Sequence, residues 1–174
     1  YNIGAKIAIE GNLDYQLMCN AYDAMIRQHD AYRIILQTNA AVPAFTILQE
    51  HNTTLGLEDF STCDQPEQAA LDYMQASYTT AFDLHAGRLL HRFILLKVSE
   101  QFHYLFSVYH HIITDGWGTS LMFQRLIANY NELYTAGSIN TEYPYSYLHF
   151  VSDDEKYRNG PAFEKDKTYW KERF

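Results

Sequence analysis

The chain has 174 residues, enough for one domain with a real core, and 47 % of them are hydrophobic against 20 % charged, which excludes a disordered segment. Thirteen Lys and Arg against twenty-one Asp and Glu leave a formal charge of −8, and without a basic stripe to neutralise phosphates nucleic acid is excluded as a partner. No apolar run approaches a membrane span and no signal-peptide pattern opens the sequence, so no membrane association is expected.

The strand of residues 3–10 comes first, ended by Gly11-Asn12. Tyr1 stands where that strand is already under way, so the sequence reads as part of a longer one. Leu17, Met18, Ala21, Tyr22, Met25 and Ile26 then recur at helical spacing and predict a helix over 13–28 with one buried stripe. Strands are predicted over 32–37 and, after Pro43, over 44–49. Asp64 with Glu67 three residues on, and Pro66 between them, marks a helix start, continued by Ala70, Tyr73, Met74, Ser77, Tyr78 and Ala81.

Two strong strands follow, 89–98 and 102–110, joined as a hairpin through Ser99-Glu100-Gln101. After Gly116 the spacing of Leu121, Met122, Ile127, Tyr130 and Tyr134 predicts a helix with Gly137 as its C-cap. The end, 146–174, reads as helical and broken at Gly160-Pro161. Mixed strands and helices predict an α/β protein of α+β type, a mixed sheet covered by helices. Aromatic residues make up 16 % of the chain, an excess that suits wide internal surfaces or a contact between lobes. Cys19 and Cys63 lie far apart with no metal or redox spacing, so the chain reads as a reduced, cytoplasmic protein.

The chemistry concentrates in His110-His111-Ile112-Ile113-Thr114-Asp115-Gly116. Strand alternation puts Phe102, Tyr104, Phe106, Val108 and His110 on one face, and His103, Leu105, Ser107, Tyr109 and His111 on the other. The first face is nearly all apolar and is expected on the core. The more polar second face is expected to line a solvent-reachable channel, with His111 facing it. Adjacent histidines on a strand point oppositely, so no shared metal ion is expected. A histidine at a strand end, then a short Asp-Gly turn, then a helix, is a place where scaffolds present reactive groups.

The same run, continued by Trp117, resembles the His-His-x-x-x-Asp-Gly signature of nonribosomal peptide synthetase condensation domains and of the wider chloramphenicol acetyltransferase-like acyltransferases. Other stretches agree in order along the chain. Tyr1-Asn2-Ile3 and Gly11-Asn12-Leu13-Asp14 are similar to the family's opening strand and first helix start. Residues 27–33 resemble an Arg-His-Glu-x-x-Arg motif, with Gln28 at the first Arg and Asp30 at the Glu. Residues 82–92 resemble a Phe-Asp-Leu-x-x-Gly-Pro-Leu-x-Arg stretch, with Arg88 replacing Pro, and Tyr169-Trp170 resembles the pair closing the first lobe. His149 stands where a Tyr-x-Asp-Phe-Ala motif has its Asp.

The resemblance implies that residues 1–174 form the amino-terminal lobe of a two-lobed domain, lacking the family's Ser-x-Ala-Gln-x-Arg opening motif and the carboxy-terminal lobe. It implies amide-bond formation between a donor acyl or peptidyl thioester and an acceptor aminoacyl thioester, each on the 4′-phosphopantetheine arm of a carrier protein. No cofactor or metal is implied on the domain itself; its partners are the carrier proteins, adjacent synthetase domains and the carboxy-terminal lobe. His111 is assigned to the reacting centre beside His110, Asp115 and Gly116, with Asp115 paired to an arginine. Arg33 is the expected partner, with Arg27 as fallback, and Trp117 is expected to pack under the loop. Gly116 is expected to combine a tight turn, which positive φ would reserve for glycine, with room for a pantetheine arm, and the following helix to aim its first amides at the reacting carbonyl. His29, His85, His91 and His103 carry no motif beyond surface or core roles. An epimerisation domain, a non-catalytic recruiting relative and a stand-alone coenzyme A-dependent acyltransferase are the competing readings.

Overall fold

The computed structural model describes residues 1–38, 42–140 and 144–174. It divides into residues 1–142 and residues 143–174.

In the first unit, β1 (Asn2–Glu10), β4 (Gly56–Asp59), β5 (His91–Ser99) and β6 (Phe102–His110) form one sheet in the order β1-β6-β5-β4. β6 runs antiparallel to both β1 and β5, and β4 runs parallel to β5. The predicted hairpin is present, and Ser99 pairs with Phe102 across its turn. β2 (Ile34–Gln37) and β3 (Ala44–Ile47) make a separate antiparallel pair.

Helices cover the sheet on both sides. On one side α1 (Tyr15–Gln28) and α3 (Gly116–Ala136) bury Met18, Tyr22, Met25, Ile26, Met122 and Leu126 against Phe93, Leu95, Leu105 and Tyr109. On the other, α2 (Pro66–Thr79) buries Ala70 and Met74 against Ile94, Leu96, Tyr104, Phe106 and Val108. The alternation predicted along β6 therefore holds, but the expected solvent-reachable face does not. Leu105, Ser107 and Tyr109 are all 0 % exposed, because α1 and α3 lie over them. Only past the strand's last residue does the chain reach solvent, at His111.

Several polar groups inside find partners, as burial favours. His91 donates from Nε2 to the Tyr32 carbonyl at 2.8 Å, and burial drives its pKa down to about 4, so the ring is neutral. Asn129 of α3 donates to the Ala21 carbonyl at 3.3 Å and to Gln28 Oε1 at 2.9 Å. Gln28 in turn donates to the Asn140 carbonyl at 3.0 Å. The position where the resembling motif has its first Arg thus ties α1 to α3 without a buried charge.

Boundaries moved where local chemistry was misread. A 3₁₀ turn (Asp30–Arg33) occupies the start of the strand expected at 32. α1 is capped by Asp14, whose Oδ1 accepts from the Leu17 amide at 3.0 Å. Asp64 does not cap α2; Gln65 stands at that position with Pro66 at the first helical residue, and Glu67 instead accepts from the Tyr104 hydroxyl at 2.6 Å. Gly137 closes α3 at φ 71°, in the left-handed region expected of a glycine C-cap. β4 has no counterpart among the predicted strands.

The second unit holds α4 (Tyr147–Arg158) and α5 (Pro161–Arg173), separated at Gly160-Pro161 as the sequence predicts. Tyr157 of α4 meets Phe163 of α5 edge-on, and its hydroxyl donates to Asp166 at 2.8 Å.

Candidate active site

Strand β6 delivers the histidine pair to the end of the sheet, and the turn 111–115 carries the chain from there into α3. The His110 amide still makes a sheet-like bond to the Leu90 carbonyl at 2.9 Å, and the His111 amide to the Tyr1 carbonyl at 2.8 Å. Beyond them the backbone folds under itself. The Ile113 amide donates to the His110 carbonyl at 3.2 Å, and the Ile113 side chain drops into the core, 8 % exposed.

His110 is half-buried at its strand end and does structural work in the turn. Its Nδ1 accepts from the Ile112 amide at 3.1 Å. Burial lowers its pKa, and His111 pushes the same way. His111 is exposed, and its ring makes no hydrogen bond among the described residues. The two imidazoles thus differ in kind: one is engaged in the turn, the other is free to meet a reactant.

Among the described residues Asp115 does not pair with an arginine. It caps α3, accepting from the Gly118 amide through Oδ1 at 2.8 Å, while its carbonyl accepts from the Thr119 amide at 2.9 Å and the Thr119 hydroxyl at 2.7 Å. The amides of Gly118 and Thr119 are thereby occupied within the cap and the first turn of the helix. Arg33 binds elsewhere. It donates to Asp30 Oδ1 at 2.5 Å, to the Leu48 carbonyl at 2.5 Å and to the Ile26 and Arg27 carbonyls at 3.2 Å each. Residues 26 and 27 lie in the last turn of α1, so the guanidinium bonds carbonyls that no amide within the helix reaches. Arg27 pairs with Asp23 and Glu50, so it is no fallback partner for Asp115 either.

Trp117 corrects another expectation: it is 77 % exposed on the first turn of α3 and does not pack under the loop. Ile112, 57 % exposed, stands beside His111 in the turn. Asp115 and Gly116 lie in the same turn as the histidines, whereas Arg33 belongs to the 3₁₀ turn after α1. His149 is exposed in α4 of the second unit.

Gly116 has no positive φ, and a Cβ built on it would meet nothing within 4 Å, so the turn explanation for this glycine falls. Two residues on, a Cβ on Gly118 would fall on Thr114 Oγ1 and lie 3.5 Å from Asp115 Oδ1. Gly118 is the glycine the turn needs. We therefore expect Gly116→Ala to leave stability unchanged or raise it by up to about 1 kcal/mol, and Gly118→Ala to lower it by about 1–3 kcal/mol. Urea unfolding of both variants checks this; the opposite order would refute the assignment.

Sequence reasoning also missed three residues under the turn. The Tyr109 hydroxyl, fully buried, bonds the Thr119 hydroxyl, and Tyr32, 2 % exposed, sets its hydroxyl against Thr114 without a well-aligned bond. The available signals were Tyr109's place on the same strand face as His111 and Thr119's place four residues after Asp115.

Among the described residues no three His, Cys, Asp or Glu side chains converge to hold a metal, and no helix is long and apolar enough to cross a membrane. The family model named condensation domain matches residues 1–174. Chondramide synthase of Chondromyces crocatus is 32 % identical over 180 residues, covering 99 % of this chain and 4 % of that protein. A dimodular nonribosomal peptide synthase of Bacillus subtilis is 26 % identical over 174 residues, 100 % of this chain and 7 % of that protein. The starter condensation domain of rhizomide synthetase superposes with a TM-score of 0.91 at 26 % identity, over 100 % of this chain and 42 % of that one. The first condensation domain of the CDA synthetase, at 21 % identity and a TM-score of 0.83, shares the fold. The chain thus spans less than a tenth of these synthases and under half of the solved domains. A match that runs from its first residue to its last makes the chain a member of the condensation domain family.

Proposed function

We propose that the chain is the amino-terminal lobe of a nonribosomal peptide synthetase condensation domain and forms amide bonds together with a carboxy-terminal lobe. The single observation that carries this reading is the exposed His111 ring at the end of β6, on a turn pinned by His110, Ile113 and Asp115. The 42 % coverage of the solved starter condensation domain supports a one-lobe extent. The two cysteines are free thiols, in keeping with a cytoplasmic enzyme.

The reaction joins two substrates, each tethered as a thioester to the 4′-phosphopantetheine of a carrier protein. The acceptor's amine nitrogen attacks the donor's thioester carbonyl; the new C–N bond forms, the C–S bond breaks, and the donor thiol leaves with the proton the nitrogen gives up. An α-amino group titrates near pH 8, with pKa about 7.7–8.0, so much of it is already neutral in the cytoplasm. His111 therefore orients the amine and takes its proton as the tetrahedral intermediate forms, and full deprotonation beforehand is not required of it. The open space at Gly116 suits the passage of a pantetheine arm beside that ring.

The test supplies the two-lobed domain with one carrier loaded with an acyl thioester and a second loaded with an aminoacyl thioester. Mass spectrometry should find the amide product on the acceptor carrier. Residues 1–174 alone should give none above the uncatalysed rate. Turnover by the single lobe at the rate of the two-lobed domain would overturn the one-lobe reading. Equal use of a free coenzyme A thioester as donor would replace the synthetase by a stand-alone acyltransferase, and inversion of the carrier-bound residue without amide product would make it an epimerase.

A further inference from the structure

The His111 ring makes no hydrogen bond among the described residues, so its aim depends on the backbone of the turn that carries it. Besides the bonds within that turn, a polar chain holds it from beneath. The Thr119 hydroxyl has a single hydrogen and donates it to the Asp115 carbonyl at 2.7 Å. In its bond with Tyr109 it must therefore accept, and the Tyr109 hydroxyl is the donor. The order is Tyr109 to Thr119 to the Asp115 carbonyl, running from the strand that precedes His111 to the helix that follows it.

Packing alone does not call for a tyrosine at this position. Tyr109 is 0 % exposed in the core with Tyr32, Phe93 and Leu105, where a phenylalanine would bury the same ring. A buried hydroxyl is tolerated only where it finds a partner, and Thr119 is the recorded one. His111 follows Tyr109 by two positions along β6 and the turn, and the far end of the relay closes on Asp115, the last residue before α3. The relay therefore fixes both ends of the segment from which the His111 ring projects.

We infer that Tyr109 and Thr119 are positioning residues for the condensation reaction: their hydroxyl relay to Asp115 holds the 111–115 turn so that His111 meets the reacting amine. This rests on the amide-forming reading of the same site. Neither residue touches substrate; both act through the backbone of His111.

The experiment compares Tyr109→Phe, Thr119→Val, Thr119→Ser and the double variant Tyr109→Phe/Thr119→Val in the intact two-lobed domain. The readouts are kcat and KM for both carrier-bound thioesters, melting temperature, and hydrogen–deuterium exchange of the 110–119 peptide. Tyr109→Phe should lower kcat about tenfold, a loss in keeping with misplacement of under 1 Å, while KM stays within about twofold. Its melting temperature should hold, and exchange should rise in 110–119 alone. Thr119→Ser, which keeps the relay, should retain kcat, and the double variant should be no slower than the slower single one, since both remove one bond. Unchanged kcat and unchanged exchange in Tyr109→Phe would overturn the inference, as would additive losses in the double variant. Because Thr119→Val strands a buried hydroxyl and risks the fold, Tyr109→Phe decides the case if that variant is insoluble. A wild-type domain that forms no amide would defeat the functional reading instead, and the exchange measurement would still decide whether the relay holds the turn.

Discussion

Replacing His111 with alanine in the two-lobed domain is expected to lower the condensation rate by about 10²–10⁴-fold, the range a positioned general base supplies. Carrier binding and melting temperature should stay as they were, because the ring is exposed and bonds nothing among the described residues. His110→Ala should behave differently. Its ring is half-buried and accepts from the Ile112 amide, so its loss removes a bond inside the turn and costs about 1 kcal/mol of stability along with part of the rate. Stopped-flow or quenched condensation assays, run beside thermal melts of both variants, separate the two roles. Equal losses of melting temperature would sink the distinction between an engaged and a free imidazole.

Arg33→Ala is expected to cost about 3–5 kcal/mol, enough to leave little soluble protein. The guanidinium makes four hydrogen bonds, and it and the Asp30 carboxylate are only 11 % and 14 % exposed, so its removal takes a charged partner from a desolvated carboxylate and donors from three carbonyls. Arg33→Lys should rescue little, because one ammonium cannot reproduce a planar fork that reaches three carbonyls and a carboxylate at once. Asp115→Ala, by contrast, should lose about 1 kcal/mol, the usual worth of a helix cap. Denaturant unfolding of the single variants and of the pair together settles it. A coupling between positions 33 and 115 well above zero would contradict the observed partners and restore the pairing that the family resemblance implied.

That pairing shows where a sequence stops informing. The type of each group was legible: a buried Arg near a helix end, an Asp before a helix, a histidine past a strand. Which of them meet was not, since Asp30 is three residues from Arg33 and satisfies it locally, leaving Asp115 to its own helix. The β5–β6 hairpin was readable because long β-branched and aromatic runs flank a polar turn. β4 was not, because Gly-Leu-Glu-Asp has little strand propensity and gains its conformation only by lying along β5. The polar look of the second face of β6 misled for a related reason. Its Ser107 and Tyr109 are as fully buried as Leu105, and a one-dimensional pattern does not count the helices that cover them. Trp117 failed in the opposite sense, a large apolar side chain left outside.

The pairing of β1 with β6 sets a condition on how the molecule is made. Asn2 meets His110 and Glu10 meets Phe102, so β1 leaves the ribosome roughly a hundred residues before its sheet partner among the described residues, about 5–20 s at ordinary synthesis rates. Until then its backbone donors and acceptors are open to any other strand in reach. The β5–β6 hairpin, closed by a short local turn, forms the template quickly once it emerges, and β1 must wait for it. The histidine turn, continuous with the last paired residue of β6, is therefore completed in the same late event that first closes the sheet.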